Sequence, residues 1–393
     1  MVITRCFFLS LLALAAPLAG FSAAQNPHKK HAPQKQYLAY IGTYTTKTSS
    51  KGIYAYRFDG ASGELNAIGL AAESSDPSFV AVHPSGKYLY AVNEGGNFEV
   101  GGSGAVSAFA IDGKSGKLTF LNQVATRGAG PCHLSLDKTG KYVLVANYDG
   151  GSVAVFPVLG DGSLGKASGF TQHTGSGPNK ERQEGPHAHW IATSPDNRFA
   201  LAVDLGLDEV LVYHFDASKG SLAPNDPPFA KVSPGAGPRH LAFPRNGQVA
   251  YVLSEIDSNV TVFAYEQSKG TLSALQTIST LPKDYAGLKE AAEIEIHPSG
   301  KFLYASNRGH DSIAVFTIDP AKGTLTSVGQ FLTKGKTPRH FAIDPTGAFL
   351  LAANEESNNI VVFKINPATG DLTPTGQVVE APSPVCITFV DAE

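Results

Sequence analysis

Residues 76–125 read DPSFVAVHPSGKYLYAVNEGGNFEVGGSGAVSAFAIDGKSGKLTFLNQVA. Four short runs lie in this stretch: FVAV (79–82), KYLYAV (87–92), AVSAFAI (105–111) and LTFLNQV (118–124). Each mixes β-branched, aromatic and small apolar residues between Gly, Asn and Asp, the mark of strands joined by turns. The tripeptide Gly116-Lys117-Leu118 has counterparts at Gly63-Glu64-Leu65, Gly162-Ser163-Leu164, Gly220-Ser221-Leu222, Gly270-Thr271-Leu272, Gly323-Thr324-Leu325 and Gly370-Asp371-Leu372. Successive glycines stand 53, 46, 58, 50, 53 and 47 residues apart. A polar turn recurs upstream, as His83-Pro84-Ser85-Gly86, Asp137-Lys138-Thr139-Gly140, His297-Pro298-Ser299-Gly300 and Asp344-Pro345-Thr346-Gly347. Four strands in each unit of roughly fifty residues is the arithmetic of a β-propeller.

The ends of the repeat supply a check. Residues 37–75 (YLAYIGTY, GIYAYRFD, ELNAIGLA) hold three strands of a unit, and Ser383–Val390 resembles the first strand at Asp76–Val82. The expected fold is therefore all-β, a seven-bladed propeller with four antiparallel strands per blade, the C-terminal strand completing the N-terminal blade. Such closure removes open sheet edges. A sandwich would not repeat seven times, and parallel solenoid coils are shorter. No segment sustains a helical period, and Tyr285–Ala292 reads as a loop insertion. Composition agrees: 42% hydrophobic, 17% charged, with 41 Gly and 25 Pro in 393 residues, excludes a coiled coil, a disordered polyelectrolyte and a multi-pass membrane protein. A net charge of −3 without a basic block argues against a nucleic-acid partner.

The N-terminus reads as an export label. Arg5 precedes an apolar run from Cys6 to Leu18 and small residues through Ser22-Ala23-Ala24, the order of a secretory signal peptide. The run is shorter than the ~20 residues of a spanning helix. Leu18-Ala19-Gly20 is followed by Phe21 rather than the Cys a lipid anchor requires, so no stable membrane anchor is expected. The expected organisation is a signal peptide over 1–24, a flexible leader over 25–36 and one propeller domain over 37–393, exported to the periplasm or secreted, and monomeric. Cys132 and Cys386 fall on first strands of non-adjacent units and read as buried free thiols.

The repeat also sorts residues by face. The uniform turns fall on one side of the disc. The irregular connections between blades, and the loops between second and third strands, fall on the other with the insertions Gly95–Gly104, Ser168–Gly185 and Ser279–Ala291. First strands surround the central channel, so their starts bring His, Arg and Glu to its mouth. His133, His187, His240, Arg339 and His340 are candidate substrate-binding residues there. Charges at such positions cost desolvation unless they meet a partner or a ligand. Glu255 and Arg308 join them as functional candidates. Glu94, Asp149 and Glu356 read instead as solvated loop charges. Asn93, Asn147, Asp204, Asn307 and Asn354 read as turn formers bonding their own backbone.

At this point the chain resembles the seven-bladed lactonase family, which groups bacterial propeller-type 6-phosphogluconolactonase with fungal carboxymuconate lactonizing enzymes. The motifs are Gly175-Ser176-Gly177-Pro178-Asn179-Lys180-Glu181-Arg182-Gln183-Glu184-Gly185-Pro186-His187-Ala188-His189, Asp204-Leu205-Gly206-Leu207-Asp208, Gly237-Pro238-Arg239-His240 with Glu255 sixteen residues on, and Ser306-Asn307-Arg308. The resemblance runs over residues 37–391. It implies a catalytic set of His189 (with His187 as competitor), Arg239, Glu255 and Arg308. A positioned base taking a proton from water contributes ~10²–10⁴-fold, a role for His189 or Glu255, and arginines stabilise an oxyanion or grip a carboxylate or phosphate. No acid-plus-His cluster has zinc spacing, no Gly-x-Ser-x-Gly motif occurs, and Trp190 stands alone where quinone propellers stack several Trp. No metal and no cofactor are therefore expected. The expected activity is metal-independent hydrolysis of a sugar lactone to its sugar acid. A non-catalytic exported propeller binding a sugar acid or a protein, and a muconate-type cycloisomerase, are the alternatives.

Overall fold

The computed structural model describes residues 1–4, 35–95, 98 and 102–393. Met1–Thr4 is exposed and irregular, and the segment expected to hold most of the signal peptide and leader lies outside the described residues. From Lys35 to Glu393 the chain forms seven four-stranded antiparallel sheets, and no helix occurs among the described residues. The first blade is assembled from both ends of the domain: Pro384–Asp391 pairs with Gln36–Thr43, followed by Gly52–Asp59 and Leu65–Glu73. The register runs from Tyr37 opposite Asp391 to Thr43 opposite Pro384. Blades two to seven follow in chain order, beginning with Val80–Val82, Pro131–Leu136, Ala188–Thr193, Pro238–Ala242, Ala291–Ile296 and Pro338–Ile343.

The core proves the ring. Second strands such as Tyr142–Asn147 and Phe199–Asp204 are buried at every position, because both faces of each inner strand meet a neighbouring blade. Alternate residues sort accordingly: Val143 and Val145 pack toward blade two, Leu144 and Ala146 toward blade four. Seven apolar clusters result, each shared by two successive blades, the last joining blade seven to blade one. Fourth strands alternate instead between exposed and partly buried, as in Thr271–Ser279.

The repeated Gly-x-Leu has a steric cause. Every one of its seven glycines has φ between 64° and 86°, a region that side chains disfavour. A Cβ on Gly270 would also come within 2.5 Å of Phe199 in the neighbouring blade, and one on Gly370 within 2.7 Å of Phe302. The turn thus seats one blade against the previous one, on an aromatic ring in five cases and on Ile68 or Val249 at Gly116 and Gly323. His83 and His297 likewise bridge blades on that face, to the carbonyls of Gly140 and Gly347.

Three expectations need correction. Ser168–Gly185 is not all loop, since Gly169–Gln172 is the fourth strand of blade three. Ser279 and Ala291 belong to strands rather than to the insertion between them. Of the residues expected to bond their own turn backbone, Asp204 does, accepting from Gly206 and Leu207. The buried asparagines bond elsewhere: Asn93 reaches Ser74 and Ser75, Asn147 reaches Thr126, Asn307 reaches Thr280, and Asn354 reaches the Asn359 side chain across the hairpin.

Candidate active site

A β-bulge sets the site. In six blades one or two residues near the start of the channel strand are skipped in pairing: Val385, Cys132, His189, Arg239, Ala292 with Glu293, and Arg339. A bulge re-aims side chains, so two successive residues turn toward the axis where a regular strand would present one. Arg239 with His240, and Arg339 with His340, thereby line one small cavity on the channel, beside Ser78 and Phe79 of blade two, whose channel strand has no such skip. A second ring lies above. In every blade the residue after the second strand donates its backbone N–H to the segment entering the first strand: Tyr44, Glu94, Tyr148, Leu205, Glu255, Arg308 and Glu355. These two rings hold the chemistry. A wider groove on the opposite face is lined by Arg245, His297, Asp319 and Lys322 and contains none of the candidate residues.

Three arginines converge on one carboxylate. Glu255 Oε1 lies 2.5 Å from Arg182 Nη2, and Oε2 lies 3.1 Å from Arg239 Nε and 2.8 Å from Arg308 Nη2. Burial alone would push the Glu255 carboxyl up, but Arg308, Arg239 and Arg182 outweigh it and hold the group at about 2. It is therefore an anchor for guanidinium groups and a poor proton acceptor. Arg308 meets Glu255 off line, so its Nε and Nη2 protons have no aligned acceptor although the side chain is only 10% exposed. Burial, together with Arg308 and Arg339, brings Arg239 down to about 10 against the pull of Glu255, still charged at neutral pH.

His189 lines the same cavity as Arg239, with its Nδ1 3.7 Å from Cys132 Sγ. Burial and the charges of Arg239, His240 and Arg339 push it well below the usual histidine range, so at neutral pH it is an unprotonated imidazole. His187 stands at the rim, stacked on Tyr148 with ring centroids 4.6 Å apart and 3.2 Å from Glu184. It does not line the cavity. His133 lies one step along its strand, against Phe79, Trp190 and His240. Deeper still, His240 Nε2 faces Arg239 Nη1 at 3.2 Å; a guanidinium only donates, so the imidazole proton sits on Nδ1 and points at Glu293. His340 Nε2 meets the same carboxylate at 3.2 Å, and burial brings His340 to about 4.

Across the channel stands a group that sequence reasoning placed in solvent. Glu94 is partly buried, accepts from Tyr44 OH at 3.0 Å and from Ser78 Oγ, and lines the cavity. Burial raises its pKa in spite of Arg339, Ser78 and Tyr44. Arg339 Nη2 donates to Tyr44 OH at 2.8 Å and lies near Glu355. The motif 175–208 also acquires a mechanical meaning. Gln183 bonds Leu205 O and Asp208, and Asp208 accepts the N–H groups of Gly235 and Gly237. Asp204 holds His173 at 2.6 Å and the N–H of His187. Together these contacts fix the insertion carrying Arg182 against the strand carrying Arg239.

The family model described as Lactonase, 7-bladed beta-propeller, matches residues 38–389. The chain belongs to the seven-bladed β-propeller lactonase family. Membership makes it a lactonase, a carboxylic-ester hydrolase. Among the relatives of this lactonase, the 6-phosphogluconolactonase of Bacillus subtilis (strain 168) is 40% identical over 355 residues, spanning 90% of this chain and 99% of the relative. The 6-phosphogluconolactonase of Formosa agariphila is 38% identical over 308 residues, 77% of this chain and 85% of the relative. Among solved structures, the periplasmic gluconolactonase of Pseudomonas aeruginosa superposes on this lactonase with a TM-score of 0.85 and 38% identity, over 91% of this chain and 100% of that one. Among the described residues no helix is long and apolar enough to cross a membrane.

Proposed function

We propose that the protein is an exported lactonase that opens a sugar lactone at the channel mouth, with His189 as general base. The observation that carries this reading is the juxtaposition, around one cavity, of an uncharged His189 imidazole and the Arg239 guanidinium, which Glu255 holds from behind. In the proposed reaction His189 takes a proton from water, and the hydroxide formed attacks the lactone carbonyl carbon. Charge developing on the carbonyl oxygen is met by Arg239, already ordered on Glu255, and by the N–H groups that Arg308 leaves without an aligned acceptor. That charge also offsets the arginine field that depresses His189, so the imidazole becomes more basic as it accepts the proton. The tetrahedral intermediate then expels the ring oxygen, which recovers the proton from the imidazolium, and a hydroxy acid leaves. Base and oxyanion partners all come from this chain, so the proposed route is metal-independent and has no covalent intermediate.

Export is supported by the Arg5-led apolar segment and by the periplasmic gluconolactonase among the neighbours. Phosphorylated sugar lactones are intracellular intermediates, so the proposed substrate is an unphosphorylated one. A panel of sugar lactones, read as acid release above the buffer rate, tests the reading. Turnover that falls by about 10² or more in Arg239→Ala is expected; a wild-type protein no faster than buffer refutes it.

A further inference from the structure

The mouth is chemically two-sided. Around Glu255, Arg182, Arg239 and Arg308 present guanidinium groups, which donate and never accept. On the opposite sector Ser78, Glu94 and Tyr44 present oxygen. Tyr44 OH accepts from Arg339, so its own proton goes to Glu94, and Ser78 also donates to Glu94. A carboxylate has about four lone-pair sites, so Glu94 keeps acceptor capacity, as do the Ser78 and Tyr44 oxygens.

We propose that Ser78, Glu94 and Tyr44 form a hydroxyl-recognition subsite that orients the lactone, its ring hydroxyls toward blades one and two and its carbonyl toward Arg239. This rests on the lactonase reading and adds to it the residues that choose the substrate. A hydroxylated lactone has one acceptor-rich end, the ester, and one edge rich in O–H donors. Laid across this mouth, it satisfies both sectors in one orientation; the reverse leaves Arg339 as the one donor on that side and sets the Glu94 carboxylate against the ester oxygens. A ring without hydroxyls desolvates the acceptor sites that Tyr44 and Ser78 leave open on Glu94 and fills none of them, and a site built to bond a hydroxyl discriminates strongly against the analogue lacking it. Two of the three residues, Tyr44 and Glu94, belong to the ring that follows the second strands. Ser78 lies two residues before the channel strand of blade two, and Glu94 and Tyr44 follow the second strands of blades two and one. The subsite is thus held by the same scaffold as Arg239 and Glu255.

The test compares D-glucono-δ-lactone with δ-valerolactone, the same ring without hydroxyls, on wild type, Glu94→Gln and Ser78→Ala. Wild type is expected to favour the hydroxylated ring in kcat/KM by about 10² or more, and both variants to cut that preference about tenfold. Turnover of δ-valerolactone and Tm should change little. An unchanged preference, or equal losses on both lactones, overturns the proposal. Should Glu94→Gln fail to fold, Ser78→Ala carries the test. Calorimetric binding of D-gluconate and 5-hydroxyvalerate separates this subsite from the lactonase reading. If wild type opens neither ring, that reading fails by itself. Weaker gluconate binding in Glu94→Gln with 5-hydroxyvalerate unchanged still supports the subsite, and no difference overturns it.

Discussion

Replacing Glu255 by Gln removes the one negative charge shared by Arg182, Arg239 and Arg308 while keeping its shape. The carboxyl titrates at about 2 rather than 4.5. At 1.36 kcal/mol per pH unit, the surroundings favour its charged form by about 3 kcal/mol. The side chain is 6% exposed, so solvent screening removes little of this, and breaking a buried ion pair typically costs ~3–5 kcal/mol. The sign follows from the lowered pKa. The stabilisation is complete above the unfolded value near 4.5 and is lost as pH falls through about 2, where the protonated acid resembles Gln. Denaturant unfolding of both proteins at pH 7, 5, 4 and 3 isolates this group, because every other carboxylate cancels in the difference. A gap of about 3 kcal/mol at pH 7 that narrows on acidification between 4.5 and 2 is expected. A gap under about 1 kcal/mol, or one that holds its size down to pH 3, refutes the anchoring role.

His189→Ala should lower kcat/KM about 10²–10⁴-fold at unchanged Tm, and a smaller loss assigns the base elsewhere. Because burial and the neighbouring arginines depress His189, the acid limb of the wild-type pH–kcat/KM profile should lie below the ordinary histidine value of 6.5; a limb at or above it contradicts the assignment. Gly270→Ala forces a side chain into φ 67° against Phe199 and should destabilise by more than ~1 kcal/mol, whereas Gly160→Ala, with open space around it, should stay within about 0.5 kcal/mol by denaturant titration. Removing residues 384–393 takes the inner strand from blade one and exposes the edge of Gln36–Thr43; light scattering should report aggregation, and a soluble, cooperatively unfolding truncate contradicts the closure argument.

The blades were legible because a propeller repeats its steric demands. The positive-φ glycine pressed on the preceding blade leaves the same mark seven times, and inner strands buried on both faces read as apolar runs. The arginine cluster was partly legible for the same reason: Arg239 follows a proline at a strand start, and Glu255 and Arg308 follow the polar ends of second strands. Glu94 occupies the equivalent position after Asn93 but was assigned to solvent, since nothing local announces Tyr44 or Ser78, which arrive from 50 and 16 residues away. Arg182 lay inside a quoted motif, yet its partner Glu255 is 73 residues distant. Glu293 stands at the repeat position that carries His240 and His340 in two other blades, but nothing local shows that both histidines turn toward it. Pairing across the axis depends on how blades rotate against one another, which no stretch of a single blade encodes.

The skipped residue in each channel strand has an evolutionary consequence. It makes no cross-strand partner and touches no apolar cluster between sheets, so exchanging it perturbs neither strand registration nor the packing that closes the circle. Chemistry at the axis can therefore change without altering the sheets, with ion partners such as Arg239 and Glu255 exchanging together. A lineage holding this architecture can try new esters while its sheets stay as they are.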